Sequence, residues 1–250
     1  MKINVHAGHN PDGKVACGAV GLIKESTEAR AVKDKVLKYL RDEKHTVYDC
    51  TVNNGTSAND VLQKIVKKCN ENDVNLDVSI HLNSGRSDKK GDGKIGGVEV
   101  LVYSKDSKSY NTAVRVADKI SKELGITNRG VKIRPNLYVL KNTDAPAMLI
   151  ECCFVDDKDD AKKWNTDKCA KAIVEGILNK SITTKKTTTT KSKDYKVKVT
   201  SNTLNVYKAV DKVNKNEVFT ITEEKRIGSS KYGKLKSGAG WILLDNTKKV

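Results

Sequence analysis

"APAMLIECCFV", residues 145–155, is an almost unbroken apolar run of strand length with one carboxylate, Glu151, set inside it. A strand without polar alternation is one covered on both faces, the situation of a central strand in a mostly parallel sheet. The run therefore predicts an α/β fold. It also singles out Glu151, because a carboxylate in an apolar strand is costly to desolvate unless it is paired, bound to metal or neutralised.

The sequence before and after this run fits such a domain. "MKINVHA" (1–7) has the pattern of a strand, "ESTEARAVKDKVLKYLRDEK" (25–44) that of an amphipathic helix, and "TVYDC" (46–50) that of the next strand. "SANDVLQKIVKKCNEN" (57–72) has apolar residues at helical spacing behind Ser57 and Asn59 as caps. "NLDVSIHLN" (75–83) and "GGVEVLVYS" (96–104) are strands on either side of a Gly/Asp/Lys-rich loop, and "SYNTAVRVADKISKELG" (109–125) is a helix closed by Gly125. "DKDDAKKWNTDKCAKAIVEGILNK" (157–180) is expected to close the domain as one helix. The fold class predicted for residues 1–180 is a mixed, mostly parallel twisted sheet flanked by helices.

Residues 181–194, "SITTKKTTTTKSKD", are Thr/Lys-rich with no apolar period and are expected to be a linker. Residues 195–250 then carry short alternating segments, "YKVKVT", "TLNVYK", "EVFTITEEKRI", "KYGKLK" and "GWILLD", the pattern of a small all-β module. Charge follows the same division. Of the formal +16, residues 181–250 hold +10, from 16 basic and 6 acidic side chains. Such an excess suits an anionic polymer as partner. The basic residues are dispersed and accompany no nucleic-acid motif, so nucleic acid is not the expected partner.

No apolar stretch approaches the roughly 18 residues of a membrane span. The six cysteines show no C-x-x-C pair and are expected to be mostly buried thiols of a protein made in a reducing cytoplasm. "MKINVHAGHN" lacks a basic and then apolar leader, so no secretory signal is expected.

Carboxyl ends of strands line the crevice of an open α/β sheet. His9 follows the first strand, Glu25 opens the first helix, His81 ends a central strand, and Glu151 closes the apolar one. Two imidazoles and a carboxylate with an open fourth position form the usual ligand set of a hydrolytic zinc, and a free glutamate beside it can move protons. Spacing alone leaves the bland alternative open, in which strand-end histidines are polar caps.

With these residues in place, residues 1–180 resemble the zinc-dependent N-acetylmuramoyl-L-alanine amidases of bacterial cell walls, the amidase type 3 group that includes clostridial phage endolysins and sporulation autolysins. Gly8-His9 matches the family's "GH" strand end, Glu25 its helix-start ligand in "GLIKESTEARAV", and His81 its "S-I/L-H-x-N" motif in "SIHLN". "APAMLIE" matches "P-A-x-L-I/V-E", whose glutamate is catalytic, and "NRGVKIRPNLYVL" resembles the preceding family segment. The resemblance implies a Zn2+ site on His9, Glu25 and His81, with Glu151 as the catalytic acid and base. It implies cleavage of the amide between N-acetylmuramic acid and L-alanine in peptidoglycan, by an enzyme made in the cytoplasm and released through a holin or on lysis.

Two positions depart from the family. His6 stands where "D-P-G-H-G" has Asp, and is expected to be a neighbour of the ligands or a surface residue rather than a ligand. Glu28 lies close enough to Glu25 to compete for its place, with exposure on the helix surface as the default. His45 is expected to be a solvent-facing connector. Asn83, Asn128, Arg129 and Asn136 are candidate substrate contacts, with Arg129 a possible helper at the developing oxyanion.

The C-terminal module resembles a bacterial SH3-type domain, through "VTSNTLNVYK" and "GAGWILL". Tyr207, Tyr232 and Trp241 are its candidate wall-binding residues, although a small barrel also needs aromatics in its core. Two rival readings remain: a zinc peptidase acting on stem or cross-bridge peptides, and a non-catalytic protein that binds wall polymer.

Overall fold

The computed structural model describes residues 1–183, 195–200, 203–207, 212–214, 216–227, 230–238 and 240–250. The expected linker therefore lies, but for its first three residues, outside the described residues. The chain divides into two compact units, Met1–Thr184 and Lys185–Val250.

In the first unit the elements run β1 (Lys2–Ala7), α1 (Glu25–Asp42), β2 (Thr46–Asp49), α2 (Ala58–Asn70), β3 (Leu76–Asn83), β4 (Val98–Val102), α3 (Tyr110–Leu124), β5 (Asn128–Ile133), α4 (Tyr138–Asn142), β6 (Ala147–Phe154), α5 (Lys158–Lys163) and α6 (Thr166–Leu178). The sheet order is β2-β1-β3-β6-β4-β5. Neighbours are parallel except at the β6–β4 junction, which is antiparallel. That reversal follows from a loop, not a crossover helix, joining β3 to β4.

The apolar strand β6 is buried on both faces, as its composition predicts. Met148, Ile150 and Cys152 join one core with Ile3, Val5, Val78 and Ile80 and with residues of α1, α3 and α6. Ala147 and Leu149 join a second core with Val61, Ile65 and Cys69 of α2 and Val139 and Leu140 of α4. All six cysteines are free thiols. No helix among the described residues is long and apolar enough to cross a membrane.

One expected element is divided. The stretch 157–180 forms two helices, because Asn165 caps a new one: its side chain accepts from the backbone N–H groups of Asp167 and Lys168, while Trp164 is extended. The break turns Trp164 and Thr166 towards α1, where Nε1 of Trp164 and Oγ1 of Thr166 donate to Glu28 Oε2 at 2.8 and 2.9 Å. Glu28 is thus a half-buried clamp between α1 and the start of α6, not the exposed helix-surface residue expected. Glu28→Ala should cost about 1–3 kcal/mol of stability, because two half-buried donors lose hydrogen bonds to a charged acceptor. A lower urea midpoint at unchanged slope, with metal binding intact, is the expected result.

The second unit is antiparallel throughout its described pairings. β7 (Tyr195–Val199), β8 (Thr203–Tyr207), β9 (Lys212–Asn214), β10 (Val218–Ile227), β11 (Ser230–Leu235), β12 (Trp241–Leu243) and β13 (Thr247–Lys249) lie in the order β13-β7-β10-β11-β12-β8-β9. Val197, Val199, Ile221, Leu235 and Ile242 form its core. Trp241 pairs with Lys234 and with Tyr207, and Tyr232 with Leu243, so Trp241 and Tyr232 share the sheet face opposite buried Ile242. Both are half-buried, whereas the side chain of Tyr207 lies outside the described residues.

Candidate metal centre

β1 and β3 are neighbouring parallel strands, so their carboxyl ends sit side by side and bring residues 6–9 next to residues 79–82. α1 begins at this edge with Glu25, whose carboxylate is buried. Its Oε1 lies 3.2 Å from His9 Nε2 and 3.0 Å from His81 Nδ1, and its Oε2 accepts from the Ala19 N–H at 2.7 Å. The two imidazoles meet edge to face, with centroids 4.9 Å apart. One donor atom from each of His9, Glu25 and His81 falls within 4.8 Å of the others, a grouping able to hold a metal ion.

The backbone has been shaped for this approach. A Cβ on Gly8 would lie 1.9 Å from the His81 ring, and one on Gly18 would lie 2.5 Å from Glu25 Oε2 and 2.8 Å from the His9 ring. His9 itself adopts φ +63°, a left-handed conformation that costs a non-glycine residue about 1–2 kcal/mol. Asn10, fully buried, ties the following loop to its neighbour: its Nδ2 donates to the carbonyls of Val15 and Gly55, and its Oδ1 accepts from the Gly55 N–H.

Electrostatics suit cation binding. Burial pushes the Glu25 carboxyl up, but hydrogen bonds from His81 and His9 outweigh it and hold the group well below the usual carboxylate range. Burial lowers the His81 pKa against the pull of Glu25, favouring the neutral imidazole a metal requires.

Glu151 stands in register with His81 on one side and Glu99 on the other, so these side chains leave the sheet on the same face. Burial, followed by the nearby charges of Glu25 and Glu99, raises its pKa to about 8. Its Oε2 is sealed from solvent and has no hydrogen-bond partner. A bare carboxylate oxygen beside a cluster of donors is explained if a cation or a substrate proton belongs there.

Glu99 is the residue that sequence patterning missed. Its Oε1 accepts from Asn83 Nδ2 at 3.2 Å and its Oε2 from Arg129 Nε at 2.8 Å, and the Arg129 guanidinium also lies 5.0 Å from the Phe154 ring. Asn83 and Arg129 thus reach the Glu151 side of the site by way of Glu99. Asn128, exposed, donates to Asp118, and Asn136 is exposed.

His6 is not a surface residue: it is 1% exposed, and burial followed by the proximity of His81 lowers its pKa to about 3. It lies outside the donor cluster and, with Ser79, His9 and His81, lines a cavity of about 80 Å³ walled by Val61, Leu62, Ile65 and Val139. His45 is partly exposed, with Nδ1 3.0 Å from the Met1 amino group.

Residues 3–183 match the family model described as N-acetylmuramoyl-L-alanine amidase, and the chain belongs to that family. A protein of Clostridium perfringens strain 13 is 35% identical over 73% of this chain and 53% of its own length. The endolysin of Bacillus phage SPP1 is 32% identical over 93% of this chain and 92% of its own. Among solved structures, the catalytic domain of the CD27L endolysin targeting Clostridia difficile is 31% identical, with a TM-score of 0.65, covering 73% of this chain and 99% of that one. The chain spans about half the length of the curated C. perfringens relatives it matches.

Proposed function

We propose that the chain is a peptidoglycan hydrolase that cleaves the amide between the lactyl group of N-acetylmuramic acid and the L-alanine of the stem peptide. The observation that carries the reading is the unpartnered, buried Oε2 of Glu151 beside the His9, Glu25 and His81 donors.

Two neutral imidazoles and one carboxylate fit Zn2+, and what the ion supplies when bound there is Lewis acidity. His9, Glu25 and His81 would hold it. The Glu151 carboxylate accepts a proton from the attacking water as the C–O bond forms and returns it to the alanine nitrogen as the C–N bond breaks. Burial, the first cause of its raised pKa in the metal-free chain, strengthens its hold on that proton between the two transfers. Arg129 and Asn83 engage both oxygens of Glu99, so Glu151 is the acid of that row left with an unpartnered oxygen.

The reading extends to the whole chain. Residues 1–180 form the catalytic domain, 181–194 a tether, and 195–250 an SH3-like wall-binding domain using Tyr207, Tyr232 and Trp241. Holding the enzyme on the wall raises its effective concentration at the substrate, and release through a holin or on lysis brings it there. The +10 charge of residues 181–250 suits anionic wall polymers. Binding of the full chain carrying Glu151→Gln to purified walls should therefore weaken as salt is added, and retention independent of ionic strength would oppose an electrostatic role.

Mass spectrometry of digested peptidoglycan tests the cleavage itself. Stem peptides with a free L-alanine amino terminus and saccharides with a free lactyl carboxylate are expected. Opened cross-bridges with intact lactyl amides would establish the peptidase alternative, and unchanged peptidoglycan with tight wall binding would establish the non-catalytic one.

A further inference from the structure

We infer that Arg30 is a positioning residue for the metal centre: its guanidinium holds the backbone of His9 in the conformation that presents the imidazole to Glu25 and His81. The inference rests on the proposed reading of that cluster as a metal site.

Arg30 lies on α1, five residues after Glu25 on the same helix. Its Nη2 donates to the His9 carbonyl at 2.8 Å and to the Val52 carbonyl at 3.0 Å. Nη1 reaches the carbonyls of Gly8 and Asn10, both at 3.4 Å, and of Ser26 at 3.3 Å. Nε and Nη2 share Asn53 Oδ1 at 3.3 and 3.0 Å. Three successive carbonyls, from residues 8 to 10, thus converge on one cation.

That convergence accounts for the backbone of His9. A left-handed φ of +63° persists at a non-glycine residue only where the surroundings over-determine it. Here the surroundings are a fixed charge facing the carbonyls on both sides of the turn. Because Glu25 and Arg30 share a helix, one ligand is carried by α1 directly and a second is fastened to α1 through the guanidinium. The bonds to Val52 and Asn53 add the loop after β2 to the same anchor.

Arginine suits the task for a geometric reason. Its planar group offers five N–H donors in a fixed fork, whereas lysine offers three around a point. The donors of Arg30 are turned inward onto protein carbonyls, so the residue acts through His9 and not on the substrate.

The test uses the metal-free full-length chain, titrated with Zn2+ alone. Arg30→Met should lower Zn2+ affinity about 10–100-fold, the range seen when a group supporting a ligand is removed. Arg30→Lys should restore little of it, and the Co2+-loaded variant should show a shifted visible absorption band. Tyr39→Phe is the control for a merely structural effect. It removes the Tyr39–Asp167 hydrogen bond from the same helix, remote from the site, and should lower the melting temperature without changing affinity. Wild-type affinity in Arg30→Lys or Arg30→Met, or a matching loss of affinity in Tyr39→Phe, would overturn the inference. A wild-type chain with no saturable Zn2+ site would overturn the metal reading itself, an outcome distinct from the others.

Discussion

Replacing Glu151 with glutamine should lower turnover on peptidoglycan by about 10²–10⁴-fold, the usual contribution of a positioned acid–base group, while leaving bound metal unchanged. Glutamine keeps the shape and the burial but can neither accept the water's proton nor return it. The pH behaviour adds a second, independent readout. In the metal-free chain Glu151 titrates near 8, above the ordinary 4.5, because burial and then Glu25 and Glu99 oppose its charge. The folded state therefore binds the proton more tightly than the unfolded one. The stability this confers is fully present below about pH 4.5 and is lost as pH rises through 8, with a limiting slope of roughly 1.4 kcal/mol per pH unit. Glu151→Gln cannot ionise, so at pH 8 metal-free Glu151→Gln should melt higher than metal-free wild type. Equal activity, or a lower melting temperature at pH 8, would contradict the role assigned to this carboxyl.

Gly8→Ala should cost the site its metal. The added methyl would lie 1.9 Å from Cε1 and 2.2 Å from Nε2 of His81, far inside contact distance, so the ring must move. Gly8 is not in the left-handed region, and alanine could adopt its backbone freely, so the effect is one of space alone. Displacing a catalytic group by about 1 Å can cost 10²-fold in rate. A loss of that order is expected, together with weakened Zn2+ binding and a nearly unchanged urea midpoint. Wild-type Zn2+ affinity in this variant would show that His81 does not need its present position.

The sequence was legible where a residue's role follows from local pattern. The run at 145–155 announces a doubly buried strand, and Glu151 stands out there because an apolar strand has no other use for a carboxylate. His9, Glu25 and His81 fall at element ends, and family resemblance named them as a set; the structure brings these three together and turns Glu28 away, to Trp164, 136 residues distant. The break at residues 164 and 165 carries a readable signal, an Asn165 cap ahead of Thr166 and Asp167, hidden by helical spacing on both sides.

What the pattern could not show depends on tertiary contact. β5 is an edge strand whose Asn128, Arg129 and Gly130 look like a turn, and it is identified only by pairing with β4. Arg30 resembles any basic residue of an amphipathic helix, since its partners are mostly main-chain carbonyls, which every sequence has. Glu99 looks like the polar interruption of a strand until Asn83 and Arg129 are seen to meet on it.

The most direct test of the account is a Zn2+ titration of the metal-free full-length chain alongside its His81→Ala and Glu151→Gln variants. The account predicts a saturable Zn2+ site on His9, Glu25 and His81 in the wild type, its loss in His81→Ala, and wild-type affinity in Glu151→Gln, because His81 is a donor of that cluster and Glu151 is not. A wild type that takes up no ion, or a Glu151→Gln variant that loses it, would contradict the assignment of His9, Glu25 and His81 as the metal centre with Glu151 as its acid and base.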